Sequence, residues 1–130
     1  MNDTIVNNNL HGIVAIINER NDQIHKHKLT VNDDILYNPN GELVQAARAL
    51  LKERPVLHDF PDSWGIAHCR KMIEKSYQER LAVAGALIAA EYDRTEELKK
   101  RIKERELKKF PNSHVGNYPL TPKEANKLAK

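Results

Sequence analysis

The chain has 130 residues, of which 40% are hydrophobic and 30% charged, with 21 basic residues against 18 acidic ones for a net charge of +3. That is the length of one domain with apolar material for a core of its own. The near balance of charge argues against nucleic acid, whose binders gather excess positive charge on one face. A single cysteine, Cys69, excludes an internal disulfide and a multi-cysteine zinc site.

Residues 1–9, MNDTIVNNN, read as a loose polar tail without the basic start and apolar stretch of a secretion signal. From Leu10 the apolar residues Leu10, Ile13, Val14, Ile17 and Ile24 recur at helical spacing, which predicts a first helix to about His27. The following stretch, LTVNDDILYNPNG, combines β-branched residues with turn formers and reads as a loop with a short extended piece. A second helix follows, capped by Asn38 ahead of Pro39 or by Asn40. Leu43, Val44, Ala47, Leu50 and Leu51 supply its apolar face, and Pro55 ends it.

The connection VLHDFPDSWG carries Phe60 and Trp64, which are expected to plug the end of the core. Helical character resumes near Gly65. Ser76 and Glu79 match a capping box, so either a new helix starts at Ser76 or one helix runs through from Ile66. Leu81, Ala84, Ile88, Glu91, Thr95, Leu98 and Ile102 then follow three-four spacing to about Lys109. Residues 111–130 read as a second tail. The predicted fold is all-α, about four helices in a compact bundle over 10–110 with a long C-terminal helix.

The longest apolar run, Leu81 to Ala90, is shorter than the about 20 residues a bilayer crossing needs. The expectation is a cytoplasmic protein without a membrane partner. The same run ends in Glu91, Asp93 and Arg94. Small side chains at Ala84, Gly85, Ala86, Ala89 and Ala90 admit a close neighbour, and Gly85, which costs about 1 kcal/mol of helix propensity relative to alanine, is explained by another backbone or a ligand passing there. Glu91 and Arg94 lie three apart on one helical face. They are either a partly exposed ion pair where the helix leaves the core or the polar contacts of a site.

A second polar group sits on the first helix, where Glu19, Arg20 and Gln23 share a face. His25 and His27 diverge by about 200° on a helix and cannot chelate one ion together. Asp33, Asp34 and Glu42 fit turn and cap roles. His68 and Cys69 are adjacent, which points them about 100° apart and disfavours a nucleophile and base. The pairs Glu96–Lys100, Glu97–Arg101 and Glu104–Lys108 support an exposed helix whose seam of Leu98, Ile102 and Leu107 suits a partner helix or a second copy of the chain. A homo-oligomer is expected.

The segments ERNDQIHKH (19–27), GELVQAA (41–47), FPDSW (60–64) and AGALIAAEYDR (84–94) together resemble a family of small proteins encoded by phages and prophages. The resemblance implies an accessory gene product acting inside a bacterial cell and supplies no catalytic residues. A fainter likeness is to the all-α nucleoside-triphosphate pyrophosphohydrolases, which gather carboxylates from two helices around magnesium. Here GELVQAA supplies only Glu42, and Glu91 and Asp93 stand two apart instead of three, so the motif is not met.

The leading expectation is therefore a non-catalytic phage or prophage protein binding a host protein or a small nucleotide-like ligand. Its contacts would be Glu19, Arg20, Gln23, Glu91 and Arg94, with no metal and no cofactor. The alternatives are a divalent-metal-dependent nucleotide pyrophosphohydrolase using magnesium, and an assembly protein that oligomerises through the helix over 95–109.

Overall fold

The computed structural model describes residues 9–109, so the expectations for residues 1–8 and 111–130 lie outside the described residues. Among those described, the chain is all-helical, with five α-helices where about four are predicted: α1 (His11–His25), α2 (Val31–Tyr37), α3 (Glu42–Leu50), α4 (Ile66–Ile73) and α5 (Tyr77–Lys109). None is long and apolar enough to cross a membrane.

The extra helix is α2, which occupies the predicted loop. Thr30 and Asp33 form a reciprocal capping box at its start, with Asp33 N–H donating to Thr30 Oγ1 and Thr30 N–H donating to Asp33 Oδ2 at 3.2 Å. Val31 and Ile35, one turn apart, pack on Leu98 of α5. That burial supplies what seven residues cannot supply by propensity alone. The turn from α1 into α2 places Lys28 in the left-handed region at φ 58°.

Neither Asn38 nor Asn40 caps α3. Asn38 ends α2, and the N-cap of α3 is Gly41, at φ 84°, a conformation glycine adopts without a Cβ clash. The Glu42 carboxylate closes the turn by accepting from Asn40 N–H. α3 stops at Leu50, short of Pro55, because its end is held from outside. Arg80 Nη1 donates to Leu50 O at 2.8 Å and Lys52 O at 2.6 Å, and Nη2 donates to Glu53 O at 3.3 Å. A helix leaves its last carbonyls without intrahelical donors, and here one guanidinium from α5 serves them.

The capping box at Ser76 resolves the other ambiguity. Glu79 N–H donates to Ser76 Oγ while Ser76 N–H donates to the Glu79 carboxylate, so α4 and α5 are separate helices. At 33 residues α5 is about 50 Å long and packs against α1, α2 and α3. Its buried face is wider than the predicted stripe: Ala84, Leu98 and Ile102 of that stripe are buried, Leu81 and Ile88 are exposed, Ile88 by 54%, and Val83, Leu87, Ala90 and Arg94 are buried besides. Three helices lie around α5, so more than one stripe of it is covered. The core joins Leu43 and Leu50 of α3, Phe60, Met72 of α4, and Val83 and Leu87 of α5. Phe60 is 1% exposed, as a plug for the core end should be.

On the far side of α5 the small residues admit α1. A Cβ on Gly85 would stand 2.5 Å from Ile16 Cδ1, so what passes there is an isoleucine side chain, not a backbone or a ligand. Leu98 and Ile102, two of the three residues in the proposed partner seam, are buried by the chain itself; only Leu107 is exposed.

Candidate functional site

A cavity of about 620 Å³ opens between α1, α2, α4 and α5, in the size range of small-molecule sites. Its floor is apolar, formed by Leu43, Met72, Val83, Leu87 and Ala90. These are the inward side chains of α3, α4 and α5, so the floor is the exposed edge of the hydrophobic core.

One wall is polar and comes from α1 and α2. Glu19 and Gln23, four apart on α1, line it together with Asp34 of α2 and Asn38 just past that helix's end. Asn38 organises this wall: its Nδ2 donates to Asp34 Oδ1 at 3.1 Å, and its Oδ1 accepts from Trp64 Nε1 at 2.9 Å. The indole is thereby fixed against the cavity with its polar edge satisfied. His68 lies beside it, with ring centroids 5.6 Å apart and planes tilted by 49°. His68, His27 and Lys75 line the cavity as well. Burial, with His27 and Lys71 nearby, holds the His68 ring below its usual pKa, so at pH 7 it is neutral and can both donate and accept.

Behind the polar wall lies a charged layer. Arg94 is fully buried, and its Nε donates to Glu91 Oε1 at 2.5 Å while Nη2 donates to Oε2 at 3.3 Å. The Glu91 side chain is only 12% exposed, so the pair is internal and not a surface bridge. Arg20, also buried, donates from Nη1 to Gln23 Oε1 at 3.4 Å and from Nη2 to Asp93 Oδ2 at 3.4 Å. Arg20 and Arg94 both act electrostatically on Asp34, yet burial dominates and raises the Asp34 carboxyl from its ordinary 3.8 to about 6. Asp34 is 2% exposed, and its Oδ2 has no hydrogen-bond partner among the described residues.

Glu19 and Gln23, of the residues singled out in the sequence, line the cavity; Arg20, Glu91 and Arg94 do not, Arg20 bonding to Gln23 of the wall and Glu91 and Arg94 pairing with each other. Sequence reasoning missed Asp34, Asn38, Trp64, His68 and His27 as members of one site. For Asp34 the only local signal was a second acid just inside a capping box. For Asn38 and Trp64, 26 positions apart, there was none.

Cys69 is buried, and burial pushes its thiol above the ordinary range, the opposite of what a nucleophile needs. Among the described residues no group of three or more His, Cys, Asp or Glu side chains is arranged to hold a metal ion. Compared with known proteins, the chain matches no family model, no curated protein and no solved structure.

Proposed function

We propose that the protein is a non-catalytic binding protein that holds a small nucleotide-like molecule in the cavity between α1, α2, α4 and α5. The resemblance to phage and prophage proteins adds the setting, an accessory factor in the bacterial cytoplasm. One observation carries this reading: uncommitted polar groups of Glu19, Gln23 and Asp34 line a concave site that also has an apolar floor and an aromatic wall. Such a combination suits a planar heterocycle bearing hydrogen-bonding groups. The apolar floor and the Trp64 face would take the base, and His27, His68 and Lys75 would meet the phosphate. A ligand of this kind is favoured over a host protein because the free polar groups line a recess instead of projecting from a surface.

Trp64 is the only tryptophan, so its fluorescence reports on the cavity alone. Titration with nucleoside monophosphates should change that emission and raise the melting temperature by several degrees at saturation, since a ligand at about 100 times its Kd adds about 2.7 kcal/mol. No change in either signal with any nucleotide would end the nucleotide reading. Release of phosphate or pyrophosphate from triphosphates in the presence of magnesium would overturn its non-catalytic part.

A further inference from the structure

Three hydrogen-bonding groups on the wall shared by α1 and α2 remain free once the protein's own bonds are assigned. Gln23 Oε1 accepts from Arg20 Nη1, which turns the amide so that its N–H donors are the uncommitted end. Asp34 Oδ1 accepts from Asn38, while Oδ2, buried in a residue 2% exposed, accepts from nothing among the described residues. Glu19, one turn before Gln23, enters no hydrogen bond or ion pair within the described residues, although its neighbour Arg20 is committed to Gln23 and Asp93. All three side chains line the same cavity.

The wall therefore offers carboxylate acceptors beside one amide donor. Its complement is an edge with two adjacent N–H donors and one carbonyl acceptor. Among the common bases only guanine has that edge, with N1–H and N2–H₂ next to O6. Adenine has one donor group beside an acceptor nitrogen, cytosine one donor group and two acceptors, and uracil a single donor between two carbonyls. A buried carboxylate oxygen left without a donor is costly, and a ligand that supplies the donor removes that cost, whereas one that presents a lone pair adds repulsion.

Resting on the reading of this cavity as a nucleotide site, we infer that the base it selects is guanine, with Asp34 and Glu19 accepting from N1–H and N2–H₂ and the Gln23 amide donating to O6. Asn38 is a positioning residue: by holding both Asp34 Oδ1 and the Trp64 indole it fixes the acceptor relative to the ring face. Arg20 plays the same part for Gln23.

The test is a set of titrations of the full chain with guanosine, inosine, adenosine, cytidine and uridine monophosphates, followed by Trp64 fluorescence and calorimetry at pH 7.5. Guanosine monophosphate should bind at least tenfold more tightly than any other, with the inosine compound, which lacks N2–H₂, weaker than the guanosine one. Glu19→Gln, at a half-exposed position with no partner among the described residues to lose, should weaken the guanosine compound more than the adenosine one and so narrow that preference. Asp34→Asn, which keeps the shape of the side chain, should abolish it. Equal affinity for all bases, or equal affinity for the guanosine and inosine compounds, overturns the guanine assignment and leaves the nucleotide site standing. Binding of no nucleotide overturns both.

Discussion

Ile16 of α1 rests on Gly85 of α5 so closely that no side chain fits at position 85 as the helices now stand, since an added Cβ would lie 2.5 and 2.6 Å from Ile16 Cδ1 and Cγ1. The contact sets how near α1 approaches α5, and α1 carries Glu19, Arg20 and Gln23. Gly85→Ala gains about 1 kcal/mol of helix propensity but forces Ile16 out of place, an overpacking cost of about 1–3 kcal/mol. The expected outcome is a net loss of about 1 kcal/mol in urea unfolding. In an Ile16→Ala background the sign should reverse, because the obstruction is gone and the propensity gain remains. Stabilisation by Gly85→Ala in the otherwise unchanged chain would show that this contact yields without cost.

The Glu91–Arg94 pair invites a second cycle. Arg94 is fully buried, so Glu91→Ala leaves an uncompensated guanidinium inside the protein and should cost about 3–5 kcal/mol. Replacing both, Glu91→Leu with Arg94→Met, removes the charges together and should cost less than the single change. Additive losses, seen by chemical denaturation of the three variants, would mean the two side chains are not energetically coupled.

Asp34 gives the chain a specific dependence on pH. Its carboxyl is raised in the folded state from 3.8 to about 6, so between those values the folded chain binds more protons than the unfolded one. Stability from this group is fully present below the unfolded value and declines as pH rises through 6, by on the order of 3 kcal/mol. Burial sets the direction; the hydrogen bond from Asn38 at the end of α2, Arg20 from α1 and Arg94 from α5 moderate it, and Asp33 on α2 adds to it. Asp34→Asn should match the parent near pH 3.5 and exceed it in stability at pH 7.5, measured by urea midpoints. Parallel pH profiles for the two proteins would refute the assignment.

Arg80 serves three carbonyls at the end of α3. Arg80→Met keeps much of the buried stem but removes every donor, and should lower stability by about 2–4 kcal/mol. Lysine, a single point of charge without the planar fork, should restore only part. A methionine variant as stable as the parent would mean that water caps α3 equally well.

How much of this was legible beforehand depended on the range of the interactions. Capping at Ser76 and the length of α5 are written in local sequence, through Ser76-x-x-Glu79 and a long three-four pattern. α2 was misread although Thr30-x-x-Asp33 marks its start, because seven residues with two inward apolar groups give little periodicity to read. Its stability comes from Leu98, over sixty positions away. Glu19 and Gln23 could be picked out because four-residue spacing puts them on one face. That Asp34 would be buried beside two arginines, or that Trp64 would donate to Asn38, follows only from how the helices meet.

The arrangement at Arg80 reaches beyond stability to the order in which the chain acquires structure. Because the stop of α3 is provided by a residue 30 positions later, α3 cannot end properly until α5 has docked. The two should form and open as one cooperative unit, with their amides exchanging hydrogen together. During ribosomal synthesis the end of α3 gains these donors only after position 80 has emerged.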